Sequence, residues 1–271
     1  MKTKDILELA GDPRFISGIY NYCDRWCERC QFTSRCFLYA QEQASADDTE
    51  ANDIKNEAFW EKLTSIFKQT SELLKMMAAE QGIDLDSLDR EGVKAPKRTR
   101  GAKSRSHELS RSAKRYSHLV NDWFESQFPR IEQTLGAGDP DGLPLVDFDH
   151  QEKLERVGDA VEVIRWYQFQ IAVKIMRGLM RDDDEDEEMG ESTTLARQKD
   201  SDGSVKVALM GIERSIGAWG RLSEEFPDQT RAIMPLLVHL ERLRKMTELS
   251  FPNARNFIRP GFDEAPDSFV S

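Results

Sequence analysis

Four cysteines within fourteen positions constrain this chain more than any other feature of its sequence. The segment Cys23-Asp-Arg-Trp-Cys27-Glu-Arg-Cys30-Gln-Phe-Thr-Ser-Arg-Cys36 has the spacing C-x3-C-x2-C-x5-C and holds all 4 cysteines of the 271-residue chain. Soft thiolates bind zinc and iron tightly, and spacers this short let the backbone fold around one tetrahedral ion or one cubane. Inert buried thiols rarely gather so closely. The start MKTKDILELAGDPRF lacks the apolar stretch of a secretion signal, so reduced thiols in the cytoplasm are expected rather than disulfides. Cys23, Cys27, Cys30 and Cys36 are therefore the expected metal ligands. Arg25, Arg29 and Arg35 would offset the negative charge of four thiolates, and the neighbouring Tyr20, Tyr22, Trp26, Phe32, Phe37 and Tyr39 would limit water access. All-cysteine ligation is compatible with both zinc and an iron–sulfur cluster.

The part from Cys27 to Cys36 resembles the C-x2-C-x-[aromatic]-x3-C segment of iron–sulfur-stapled nucleases, a group that includes CRISPR-associated exonucleases and bacterial recombination helicase-nucleases. The resemblance implies that Cys27, Cys30 and Cys36 are three ligands of a [4Fe-4S] cluster, with Phe32 at the aromatic position. In that group the fourth cysteine is distant, whereas here Cys23 stands close by. The chain has no nuclease carboxylate–lysine core on strands, so the resemblance implies a cluster and not DNA cleavage. Cys23, Cys27 and Cys30 also repeat the C-x3-C-x2-C spacing of radical S-adenosylmethionine enzymes. Those enzymes leave one iron open and set the motif in a strand–helix barrel; here a fourth cysteine is available and strands are not expected. The expected cofactor is a [4Fe-4S] cluster, with zinc as the alternative.

Beyond the cysteines the pattern is helical. Phe59, Leu63, Ile66, Phe67, Leu74 and Met77 recur at steps of three and four after a cap at Asn52 or Asp53, and Gly82 ends that run. A second stripe comprises Ala113, Tyr116, Val120, Trp123, Phe124, Ile131 and Leu135, interrupted near Pro129. A third opens near Asp149 with Val157, Val161, Ile164, Ile171 and Ile175. The additional apolar residues Val163, Trp166, Phe169, Val173 and Met176 predict a central helix covered on most sides. A fourth helix is expected from about Ser204 to Glu224, with Leu209, Ile212, Ile216, Trp219 and Leu222 inward. In the last, Leu236, Leu240, Leu243 and Leu249 repeat and Pro235 suits the first turn. No alternating run is long enough to build a sheet. The expected fold is all-α, a bundle of about five helices over residues 46–271, with a metal-binding segment at 1–45 and flexible loops at about 92–106 and 182–203.

A formal net charge of -11 argues against wrapping nucleic acid with the whole surface. The charge is uneven, however: DDDEDEE fills 182–188, while 94–115 is basic. Lys97, Arg98, Arg100, Lys103 and Arg105 are the expected phosphate contacts if that stretch binds nucleic acid; the competing reading is a solvated loop. Glu162, Tyr167 and Glu213 are the residues expected to line any enzymatic pocket in the bundle, against the simpler reading of helix packing and ion pairs. The 4 histidines complete no Glu-x-x-His pattern, and no phosphate-loop, dinucleotide or nucleophile-elbow motif occurs. Whether the chain is an enzyme is left open by its sequence. The leading expectation is a metal-binding protein in a redox-accessory or protein-interaction role, with another protein as partner and no membrane span. A zinc protein that binds nucleic acid, or an enzyme, is the alternative.

Overall fold

The computed structural model describes residues 12–44, 49–80, 82, 102–136, 148–180 and 191–263. The described residues form helices and turns without a strand, so the fold is all-α. The chain divides into two compact units: Met1–Arg98 with Ile258–Ser271, and Thr99–Phe257. A long helix and the C-terminal segment join the cysteines in the first unit.

In that unit three 3-10 turns, Ile19–Tyr22, Cys27–Arg29 and Thr33–Arg35, precede α1 (Phe37–Gln43), α2 (Thr49–Asn52) and α3 (Glu57–Glu80). The cap of α3 is Asn56, whose Oδ1 accepts from the Ala58 amide at 3.1 Å. Asp53 instead closes a turn of its own by accepting from the Lys55 amide at 3.0 Å, so the expected start at Asn52 or Asp53 comes too early. Gly82 takes φ 70°, a left-handed conformation that suits a helix terminus. The apolar stripe of α3 is not buried. Trp60, Phe67 and Leu74, seven residues apart, are exposed, as are Ile66 and Met77.

The second unit contains α4 (Ala102–Ser106), α5 (Glu108–Ser126), α6 (Phe128–Gly136), α7 (Phe148–Leu179), α8 (Glu191–Glu225) and α9 (Thr230–Ser250). Helices α5, α7, α8 and α9 form a ring: α7 packs on α5 and α8, and α9 packs on α8 and α5. Among the described residues no helix is central. The expectation that α7 is covered on most sides fails at Phe169 and Val173, 54% and 55% exposed, because a ring leaves each helix an outer face. Ile164, Ile171 and Ile175 of α7 are buried, together with Leu209, Ile212 and Trp219 of α8 and Leu236, Leu240 and Leu243 of α9. Along α7 and α8 the pairs Arg177–Asp200, Asp159–Arg221 and Arg156–Glu225 descend one helix as they ascend the other, so the two run antiparallel.

Glycines let these two helices approach closely. A Cβ at Gly211 would lie 2.8 Å from the Tyr167 ring, and one at Gly178 would collide with Val205. This contact also overturns part of the loop expected at 182–203. Helix α8 already begins at Glu191, and Ser201 and Asp202 are buried. Ser201 Oγ donates to the Gly178 carbonyl at 2.8 Å, and Gln198 donates to Asp202 at 2.9 Å. Polar residues that satisfy one another against a neighbouring helix need not be solvated. Residues 182–190 lie outside the described residues, as does most of the loop expected at 92–106, of which Ala102–Ser106 is helical. Pro235 sits inside α9 rather than in its first turn, since the helix already opens at Thr230, and Leu249 is 83% exposed. Among the described residues no helix is long and apolar enough to cross a membrane.

Candidate metal centre

The cysteine spacing is matched turn by turn to the backbone. Cys23 terminates the first 3-10 turn, Cys30 the second and Cys36 the third, each in extended conformation. Cys27 opens the second turn, and Cys36 is also the N-cap position of α1. A 3-10 turn reverses direction within three residues. The x2 and x5 spacers are therefore each filled by a turn that returns the next cysteine to the same side. The turns close through Cys30 N to Cys27 O at 3.1 Å and Cys36 N to Thr33 O at 3.2 Å. Between Cys23 and Cys27 the chain bends at Arg25, which takes φ 59° and is ion-paired to Glu42 at 2.7 Å. A left-handed non-glycine residue costs about 1–2 kcal/mol, so the remaining contacts of the segment must offset it.

All four thiols are partly buried and none is in a disulfide. They line one hollow of about 320 Å³ that includes its open mouth. Trp26, Phe32, Tyr39 and Phe262 supply its aromatic wall. Trp26 is buried, with the Arg29 guanidinium 4.1 Å from its ring centre. Among the described residues, no three of the His, Cys, Asp and Glu side chains stand so as to hold a single metal ion.

Burial pushes the Cys27 thiol above its ordinary range; Arg25 pulls it down, while Glu42, Cys23 and Cys36 push it further up. The Phe32 amide donates to Cys30 Sγ at 3.4 Å, and Cys23 Sγ donates to the Tyr20 carbonyl at 3.5 Å. Amide donors to sulfur tune cysteine-held metals.

Tyr167 is buried with its ring against Gly211 and its hydroxyl accepting from Arg214. Glu162 and Glu213 are both exposed. Glu213 is ion-paired to Arg255 at 2.6 Å. Lys103 and Arg105 are exposed on α4, while Lys97, Arg98 and Arg100 lie outside the described residues. The sequence reading missed Phe262 and Gly261. They fall in a segment dense in Pro and Gly, whose only signal is aromatic residues too frequent for an ordinary tail. Compared with family models, curated proteins and solved structures, the chain matches none.

Proposed function

We propose that this chain binds a [4Fe-4S] cluster through Cys23, Cys27, Cys30 and Cys36 and acts in a redox-accessory or protein-interaction role in a reducing compartment such as the cytoplasm. The observation that carries the reading is that four free thiols line one shared hollow. A polynuclear cluster suits this better than one ion. Zinc–sulfur bonds of about 2.3 Å draw four sulfurs to roughly 3.8 Å of one another in a tetrahedron. A cubane carries its ligands on four separate irons and so accepts a wider ring.

In this reading the four cysteines hold the cluster and Arg25 moderates the charge they carry. Trp26 and Phe32 exclude water from one side, and the Phe32 amide supplies a hydrogen bond to Cys30. The cluster would supply one-electron chemistry or structural order to the first unit. Anaerobic purification of the full chain followed by iron, acid-labile sulfide and zinc analysis tests the proposal. About four irons and four sulfides per chain are expected. A colourless protein with one zinc would replace it with a structural zinc site.

A further inference from the structure

The cysteine segment does not close its hollow alone. Phe262, from far along the chain, stands in the same wall as the four thiols. Its ring meets Phe32 edge-on, with centroids 5.0 Å apart and planes at 82°. The residue before it is shaped for this approach. Gly261 takes φ 77°, and a Cβ there would lie 2.9 Å from the Cδ1 atoms of both Ile16 and Ile19, which are buried. Only glycine meets both demands.

The segment is also braced from within. Arg259 is 8% exposed and clasps Asp263 through Nη2–Oδ1 at 2.9 Å and Nε–Oδ2 at 3.0 Å. The Phe262 and Asp263 amides both donate to the Arg259 carbonyl, at 3.2 and 3.1 Å. The Arg259 guanidinium lies 4.8 Å from the Phe262 ring centre. An ion pair, a backbone turn and a cation–π contact thus fix one aromatic ring on one target.

We propose that Phe262 is the second part of the metal site: a shield carried on the 259–263 turn that closes the thiolate-lined hollow, so that cluster retention and docking of this turn are coupled. The proposal rests on reading the hollow as an iron–sulfur site. An aromatic ring over a cluster keeps water and oxidant from its iron and sulfide. By linkage, a turn that docks better on the loaded site must itself be held more firmly by the cluster.

The test uses the full chain, reconstituted anaerobically with ferrous iron and sulfide. Cluster loss in air and to a ferrous chelator is timed by visible absorption for wild type, Phe262→Leu and Phe262→Ala. Amide exchange of residues 259–263 is measured in wild type before and after loading. Phe262→Ala is expected to bind the same iron anaerobically and to lose it on the order of 10–100-fold faster, as for other surrounding partners of a metal site, with Phe262→Leu between. Exchange across 259–263 is expected to slow on loading. Equal rates of loss in wild type and both variants, or exchange indifferent to loading, would overturn the shield while leaving the cluster in place. A wild-type chain that takes up neither iron nor sulfide overturns the underlying reading instead. Should Phe262→Ala not fold, Phe262→Leu and the wild-type exchange decide the matter.

Discussion

Trp219 joins α8 to α5 at one point. It is fully buried on α8, its indole Nε1 donates to Tyr116 Oη at 3.0 Å, and its ring meets Trp123 edge-on at 4.7 Å. Burial holds the Tyr116 phenol at about 12, so it stays neutral throughout the ordinary pH range. Tyr116→Phe leaves the indole donor orphaned and is expected to cost about 1–3 kcal/mol in urea unfolding, with little change between pH 6 and 9. Gly211→Ala tests the close approach of α7 and α8. The gain of about 1 kcal/mol in helix propensity is expected to be outweighed by the clash with Tyr167, for a net loss of about 1–2 kcal/mol. Glu241 gives the acid-side test. Two hydrogen bonds from Arg244, each 2.8 Å, lead the causes that hold its carboxyl near 2. Because the folded value lies below the unfolded one, its contribution is present above about pH 4.3 and disappears as pH falls through about 2. The stability difference between wild type and Glu241→Gln should therefore be constant from pH 7 to 5 and close toward pH 2. At this scale the cysteines are legible because sequence proximity forces them into one neighbourhood. Phe262 is not, because nothing local to residues 251–263 says which wall its ring will complete.

Among the elements, α5, α7, α8 and α9 are legible because each buries one stripe, and a stripe of period 3.6 appears in sequence before any partner is known. The limits of that reading are equally physical. Periodicity marks an apolar face but not what covers it, which is why α3 reads like the bundle helices and yet leaves Trp60, Phe67 and Leu74 exposed. Composition marks polarity but not satisfaction, which is why residues 191–203 read as a loop and are helical. A helix held by few tertiary contacts opens easily. Native-state amide exchange is therefore expected to be about a hundredfold or more faster in α3 than in the middle of α8. Comparable protection in the two would mean that α3 is covered in solution.

At the scale of the whole molecule the division into two units matters most. Residues from both ends of the sequence meet in the cysteine unit, while the ring of four helices is built from the stretch between them. A cluster would serve the first unit as a core serves the second, supplying a centre for short turns that bury little apolar surface of their own. The structure sets residues 27–36 in a helical protein without strands among the described residues. Whether four thiols share one polynuclear centre is decided by metal-edge X-ray absorption on the anaerobically purified full chain. Iron with an all-sulfur coordination sphere and a short iron–iron vector is expected; zinc with a sulfur sphere and no metal–metal vector, or a folded chain without metal, would overturn the cluster.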